Sequence, residues 1–207
     1  MSSRWRQTSP DELAGWLAEA IVPWGIAGGW AIDLWQGGVS RPHSDIEISC
    51  FLADLPALLP TFDGFEIAVA RNKQLTPYET GTVLPAPPFS LWLRRHGETL
   101  WDFEIVAEAQ LDGQWAYRRE LSVRHAMGTV FTPTRSDLPV IAPEIQLLYK
   151  CKQPRDKDIS DLTRYVPRLD DAAGLWLRSA VAAAHPEFLP TLLDIEALDA
   201  RNDGTSQ

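Results

Sequence analysis

Four acidic residues occur in two short stretches in which acidic and apolar residues alternate. Asp45 and Glu47 flank one apolar residue, and Asp102 and Glu104 flank another. Because successive side chains of a β-strand point to opposite faces, each pair of carboxylates is expected on one face. If the two strands are neighbours in a sheet, three or four carboxylates converge. Like charges at such distances repel, so the cluster would take up a proton or bind a cation.

The chemistry expected of this cluster is that of a hard cation. Carboxylate oxygens with positions left open for phosphate favour Mg²⁺. The alternative is a solvated sheet face, because an Asp-x-Glu stretch in a strand is commonly surface decoration. Strands are depleted of acidic residues, which makes two such pairs notable. The metal hypothesis therefore needs support from a second sequence feature.

A glycine pair, Gly28 and Gly29, is that second sequence feature. It separates a short apolar stretch at 24–27 from a helical pattern at 30–35. Glycine lets the backbone approach a ligand closely, and free N–H groups at a helix start bind phosphate. For a glycine pair alone, a tight turn is an equally good interpretation. The basic residues Arg41 and His43, placed directly before the acidic strand, favour a phosphate-binding corner.

Two motifs together resemble a known enzyme family. The sequence reads GGWAID at 28–33 and SRPHSDIEI at 40–48. This combination resembles the nucleotidyltransferases of the polymerase-beta-like superfamily and is most similar to the aminoglycoside and lincosamide nucleotidyltransferase group. Members of that group have a Gly-Gly-Trp-Ala turn, an Arg-x-His approach and an Asp-x-Asp strand. The chain departs from the pattern at Glu47, where the family usually has Asp.

The resemblance implies both a fold and a reaction. The implied fold is α/β (α+β): a nucleotidyltransferase-like mixed sheet flanked by helices over residues 1–142, followed by a small helical C-terminal domain over 143–207. The implied reaction moves a nucleoside monophosphate from a nucleoside triphosphate to a hydroxyl of a small, cationic, aminoglycoside-like acceptor. The implied cofactor is Mg²⁺, as two ions, and the nucleoside triphosphate is the donor substrate.

The resemblance also assigns site residues. Asp45, Glu47 and Asp102 would be the metal ligands, and Asp102 would also be the catalytic base. Glu104 is the reserve for the third carboxylate, and His43 would order the loop before the acidic strand.

Nucleotide binding is expected of five further residues in the same scheme, namely Gly28, Gly29, Arg41, Lys150 and Lys152. The Glu47 departure motivates an alternative, a catalytically weak nucleotide-binding module with a regulatory or antitoxin-like role. An enzyme whose acceptor is a protein side chain or an RNA end is a further alternative.

The acidic composition of the chain limits the kinds of molecule that it is expected to bind. The chain has 207 residues, a net charge of −9 and a pI near 4.9. An acidic surface repels phosphate backbones and attracts cations, so general nucleic-acid binding is not expected and a cationic substrate is. The two cysteines form no CxxC pair, which disfavours zinc and disulfides. Neither a signal peptide nor a membrane span is visible, so a cytoplasmic location is expected; the oligomeric state is left open.

Hydrophobic patterning predicts strands first and helices last. A helix is expected from Pro10, where Ser9 can cap it and Glu12 completes a capping box. The sequence predicts strands at 24–27, 45–51, 65–70, 89–93, 99–106 and 115–118. A proline-rich loop is expected at 76–88. A short helix is predicted to open at 54–56 with Asp54 as its cap, and further helices are predicted at 144–152, 158–165, 171–184 and 188–198.

Overall fold

A computed structural model of the chain describes residues 4–79, 81–85 and 88–203, and side chains as far as residue 198. The strands of this part are β1 (Trp24–Ala27), β2 (Glu47–Phe51), β3 (Phe65–Arg71), β4 (Gln74–Pro77), β5 (Ser90–Arg95), β6 (Phe103–Leu111), β7 (Gln114–Tyr117), β8 (Glu120–Ala126), β9 (Phe131–Pro133) and β10 (Pro139–Ile141). Its α-helices are α1 (Pro10–Trp16), α2 (Gly28–Gln36), α3 (Leu55–Leu58), α4 (Pro143–Lys150), α5 (Asp156–Tyr165), α6 (Asp171–Ala184) and α7 (Leu189–Asp203).

The strands form one mixed sheet in the order β4-β3-β5-β6-β2-β1-β10-β9, and β7 extends from β6 to β8. At its centre, β2 runs antiparallel to β1 and parallel to β6. The pairing of β2 with β6 is in register at Glu47 and Glu104. Residues paired in this way point to the same face, so the topology alone brings carboxylates from two distant segments together.

The core lies on the face opposite these two glutamates. Phe103 and Ile105, which alternate with Glu104 along β6, are fully buried. Trp16 of α1 covers this face, with its ring centroid 5.7 Å from that of Phe103. The Ser9 hydroxyl accepts a hydrogen bond from the Glu12 N–H at 3.1 Å, so α1 begins at the predicted cap.

The helix that follows β1 begins at the glycine pair. The chain passes from Ala27 directly into α2 at Gly28, and the N-cap residue Ala27 makes no side-chain hydrogen bond to the first turn. The helix ends at Gly37, whose φ of 76° lies in the left-handed region. The Gly37 N–H donates to the Leu34 carbonyl, and that of Gly38 to the Asp33 carbonyl. A glycine at this position satisfies carbonyl groups that the helix end leaves free.

The expected fold is confirmed: a mixed α+β sheet flanked by helices, with a helical region at the C-terminal end. All secondary structure from residue 143 onward in the described chain is helical. The division into domains at 142 and 143 stays a prediction. The loop expected at 76–88 begins later than predicted, because Gln74–Pro77 forms the edge strand β4, and residues 80, 86 and 87 lie outside the described part. Among the described residues, no helix is long and apolar enough to cross a bilayer.

Candidate active site

A cleft of about 440 Å³ opens between the centre of the sheet and the helices α4 and α5. It brings together most of the residues predicted from the sequence, namely Gly28, Gly29, Arg41, His43, Asp45, Glu47, Lys150 and Lys152. The acidic residues lie on the sheet side, and the lysines come from the end of α4 and the segment that follows it. The cleft therefore places negative and positive groups opposite each other.

The carboxylates on the sheet side destabilise one another. Burial raises the pKa of Glu47 to about 8, and the charges of Glu104 and Asp45 add to the shift. Lys150 and Arg118 act in the opposite direction without cancelling it. Burial also raises the pKa of Glu104, and the charge of Asp45 contributes. Such a cluster is more stable when it holds a proton or a cation.

Asp102 is not part of this cluster, and its expected placement beside Asp45 is wrong. Its fully buried carboxylate accepts hydrogen bonds from the Arg6 side chain and, at 2.8 Å, from the Arg95 N–H. Both guanidinium groups lie within 6 Å of the Trp16 ring of α1, on the core side of the sheet. Asp102 lies directly before β6, and its hydrogen bonds to Arg6 and Arg95 hold the carboxylate away from Glu104. Glu104, the reserve, is therefore the third carboxylate near Asp45.

The glycine corner lies directly against the acidic cluster. Gly28 has a φ of 70°, which favours glycine, and a Cβ atom there would lie 3.1 Å from Oε2 of Glu47. The Gly28 N–H already donates to Oε1 of Gln146 at 2.8 Å, so this amide is partnered by α4. Because the N-cap residue Ala27 makes no side-chain hydrogen bond to this turn, the N–H groups that follow Gly28 can donate hydrogen bonds to an anion.

Gly29 allows the basic loop to pack on the helix start. A Cβ atom at Gly29 would lie 2.6 Å from the His43 ring and 2.7 Å from Nη2 of Arg41. The His43 ring also packs on Trp30, with ring centroids 4.6 Å apart. Any larger residue at Gly29 would therefore displace the loop that precedes the acidic strand.

A hydrogen-bonded chain fixes His43 and its tautomer. Nη1 of Arg41, which can only donate, lies 3.2 Å from Nδ1 of His43. Nδ1 is therefore the acceptor, and the Nε2 proton donates to Oδ2 of Asp33 at 2.7 Å. Asp33 also accepts from the Ser40 hydroxyl at 2.7 Å and the Tyr165 hydroxyl at 3.0 Å. His43 is thus a positioning residue that joins the loop to α2.

The predicted phosphate ligands Arg41 and Lys150 both have an acidic partner. Nη2 of Arg41 donates to Asp161 at 3.0 Å, and Nζ of Lys150 donates to the same carboxylate at 2.8 Å. Lys150 also lies 3.5 Å from Asp158. Burial acts to raise the pKa of Asp161, but the hydrogen bonds from these two cations outweigh it and hold the pKa below its usual value. Both cations therefore stabilise the junction of the loop with α4 and α5.

Sequence reasoning missed several residues that line or support the cleft. Gln146 and Asp161 lie on helices whose existence was predicted, but no motif marked them. Arg118 and Arg119 follow β7 and line the cleft. An Arg-Arg pair at the end of the strand predicted at 115–118 was the available signal for these two residues.

The donor set suits a metal ion that arrives with its substrate. Among the residues that the structure describes, no group of three or more His, Cys, Asp or Glu side chains could hold a metal ion. Mg²⁺ in proteins is commonly bound by one or two carboxylates together with substrate phosphates, and less often by an all-protein cage. Asp45 and Glu47, crowded and facing an open cleft, match that binding mode.

Comparison with known proteins identifies the family. The family model for aminoglycoside-2''-adenylyltransferase matches residues 12–165, which include every cleft residue named above. The chain belongs to this family. The resemblance to the aminoglycoside and lincosamide nucleotidyltransferases is thereby confirmed, as is the expectation of an enzyme of the adenylyltransferase class. No curated protein sequence matches the chain.

The structure of LnuA supports the fold of this aminoglycoside-2''-adenylyltransferase family member, and two further solved structures show weaker similarity. The lincosamide antibiotic adenylyltransferase LnuA, solved with lincomycin bound, is 20% identical with a TM-score of 0.51, over 84% of this chain and 99% of LnuA. ANT(2'')-Ia in complex with adenylyl-2''-tobramycin is 16% identical with a TM-score of 0.39, over 93% and 95% of the two chains. An antigenic nucleotidyltransferase-like protein from Paracoccidioides brasiliensis is 17% identical with a TM-score of 0.43, over 89% of each chain.

Proposed function

We propose that the chain is a Mg²⁺-dependent enzyme that transfers a nucleoside monophosphate, with ATP as the donor, to a hydroxyl of a small acceptor rich in amino groups. The observation that carries this proposal is the pairing of Glu47 with Glu104 against the glycine corner. Their mutual repulsion favours a bound cation, and the N–H groups that follow Gly28 in the first turn of α2 favour a phosphate group beside them.

Each carboxylate has a role in this scheme. Asp45 and Glu47, which line the cleft and are partly exposed, would hold the metal. When bound, Mg²⁺ supplies charge neutralisation for the triphosphate and lowers the barrier to attack at the α-phosphorus. The glutamate at position 47 is longer than aspartate, and the close packing of its carboxylate on Gly28 limits where that extra length can go.

Glu104 takes the role first expected of Asp102. Its carboxyl group lies on the face that Glu47 occupies, and its raised pKa makes it a better proton acceptor than an ordinary glutamate. We therefore assign it as the general base that receives the acceptor hydroxyl proton. Asp102 cannot do this, because two arginines neutralise it on the other side of the sheet.

The acceptor class follows from charge and family. The net charge of −9 attracts polycationic molecules, and the matching family is named for transfer to aminoglycosides. A lincosamide is the second acceptor type to test, because LnuA was solved with lincomycin bound. A cytoplasmic location, where ATP is available, belongs to the same proposal.

The test is a transfer assay with separate acceptor panels. The protein is incubated with ATP, Mg²⁺ and single aminoglycosides or lincosamides, and pyrophosphate release is measured together with the mass of the product. An acceptor heavier by one adenylyl group supports the proposal, and chelation of Mg²⁺ should abolish its formation. ATP binding without pyrophosphate release for any acceptor would instead favour the regulatory module. Transfer to RNA or protein alone would overturn the small-molecule assignment.

A further inference from the structure

The cations that line the cleft fall into two groups according to their partners. The first group is neutralised within the protein. Arg41 and Lys150 share Asp161, and Nε of Arg155 donates to Asp158 at 2.7 Å. Because each of these cations already faces a carboxylate, the group offers little net charge to an incoming anion.

The second group consists of Arg118 and Arg119, which follow β7, Lys152, which follows α4, and Lys157, which belongs to α5. All four line the cleft, and none forms an ion pair with a described residue. Nε of Arg118 is shielded from solvent and has no hydrogen-bond partner in the described part of the chain. The charge of Arg119, then burial, and then the charge of Arg118 lower the pKa of Lys152. The charges of Arg118, Arg119 and Lys152 thus act on one another, and none of the three has an ion-pair partner in the described part of the chain; these three form the cationic group.

Aromatic rings hold the two arginines in place. The Cζ atoms of Arg118 and Arg119 lie 5.1 Å and 5.4 Å from the centroid of the Tyr149 ring. That ring is fixed, because its hydroxyl donates to the buried Glu108 at 2.6 Å. Nη1 of Arg119 also donates to the Tyr117 hydroxyl at 3.2 Å. Guanidinium groups on fixed rings keep their N–H groups available at low cost in conformational entropy.

The cationic group borders the acidic cluster. The charge of Arg118 acts on Glu47 and on Glu104, opposing the rise in their pKa values. A ligand that satisfies both groups must therefore be anionic at one end and present a metal-binding oxygen at the other. A nucleoside triphosphate has this form, with its β- and γ-phosphates beyond the reacting α-phosphate.

We propose that Arg118, Arg119 and Lys152 form a polyphosphate site that holds the β- and γ-phosphates of the donor and retains them as pyrophosphate. The inference rests on the proposed transfer reaction. In that reaction a bond forms between the acceptor oxygen and the α-phosphorus while the bond from the α-phosphorus to the bridging oxygen breaks. The electron pair leaves with pyrophosphate, and the hydroxyl proton passes to Glu104. The three cations face the oxygens on which negative charge increases.

Binding of inorganic pyrophosphate tests this site without requiring transfer. Isothermal titration with Mg²⁺ and pyrophosphate compares the wild-type protein with R118Q, R119Q and K152Q. Each substitution removes a charge-assisted hydrogen-bond donor, so affinity should fall by about 10–100-fold. Arg71→Gln is the matched control, because Arg71 is exposed at the end of β3 and does not line the cleft. It should leave the affinity within about twofold.

The outcomes separate this inference from the proposed function. If wild type binds pyrophosphate and all three cleft variants bind it equally well, the assignment of the site is wrong even where transfer is observed. If affinity falls in the variants while no acceptor is modified, the anion site stands and the proposed function fails. Lys152 is exposed and lies outside the helices, so K152Q keeps the test decisive if an arginine variant does not fold.

Discussion

Glu47 on β2 and Glu104 on β6 are register partners across two parallel strands, so their carboxyl groups share one face of the sheet. Burial and mutual repulsion favour a protonated Glu47, whose pKa is about 8. A metal ion requires the ionised form, so protons and the metal ion compete for the same carboxylate oxygens. A bound proton can therefore take the place of the metal ion in stabilising the cluster.

Glu104→Gln should separate catalysis from stability. We expect kcat to fall by about 10²–10⁴-fold, because the variant removes the proposed proton acceptor. The free energy of unfolding should hold or rise at pH 8, because the variant also removes a charge that repels Glu47. Pyrophosphate release and urea denaturation measure the two quantities.

Asp102→Asn is the matched comparison. It leaves Arg6 and Arg95 without their buried counter-charge, so the free energy of unfolding should fall by about 1–3 kcal/mol. The kcat of the folded fraction should stay within a few-fold of wild type. An inactive but stable D102N protein, together with an active E104Q protein, would return the catalytic role to Asp102.

Asp45 and Asp102 show which side-chain positions the sequence pattern could predict and which it could not. Alternation correctly placed Asp45 and Glu47 in one cleft, although β2 begins only at Glu47. At Asp102 the same argument failed, because Arg6, 96 positions away, donates a hydrogen bond to the carboxylate from the other side of the sheet. A local pattern does not encode a counter-charge from another part of the chain.

Residue type also led to the prediction of Arg41 as a phosphate ligand, whereas in the structure this side chain forms an ion pair within the protein. Arg41 was a reasonable phosphate ligand, yet its partner Asp161 lies 120 positions away and no motif marked it. The four C-terminal helices were predicted well, because long amphipathic periods are strong signals. The three-residue strands β9 and β10 were missed, because so few residues cannot establish a period of two.

The stability of the metal-free protein should depend on Glu47. Its pKa is about 8 in the folded state against a usual value of 4.5, so between these values the folded state binds more protons than the unfolded state. The free energy of unfolding should therefore fall as pH rises through this window. Urea denaturation at pH 5.5, 7 and 8.5 in the presence of a chelator measures the slope.

Glu47→Gln isolates the contribution of that one carboxyl, because glutamine does not titrate. The variant should lose less stability than wild type between pH 5.5 and 8.5. Mg²⁺ with ATP should raise the melting temperature of wild type more at pH 8 than at pH 6, since binding stabilises only the form with ionised ligands. Identical pH slopes for the two proteins would show that Glu47 has an ordinary pKa.

Gly29→Ala tests the packing of the basic loop on α2. The new Cβ would lie 2.6 Å from the His43 ring, so the loop must shift, and stability should fall by about 1–3 kcal/mol. The KM for ATP should rise as well, because the same loop leads into Asp45. Gly174→Ala in α6 is the control, since nothing lies within 4 Å of its Cβ position. It should be neutral or stabilising by about 0.5–1 kcal/mol.

Asp161→Asn tests whether Arg41 and Lys150 stabilise the junction of the loop with α4 and α5 or bind phosphate. Nζ of the buried Lys150 would keep only Asp158, at 3.5 Å, so the free energy of unfolding should fall by about 3 kcal/mol. Asp194→Asn on the exposed side of α7 is the control and should change it by less than about 0.5 kcal/mol.

The affinity for pyrophosphate distinguishes the two roles in this D161N variant. If Arg41 and Lys150 are supports, freeing them from Asp161 should leave that affinity within about threefold of wild type, because Arg118, Arg119 and Lys152 are unchanged. Ligands freed from a competing carboxylate would instead bind the anion about tenfold more tightly or better. Such tightening, measured by titration calorimetry on folded protein, would move the polyphosphate site from the β7 side of the cleft to α4 and the loop at Arg41.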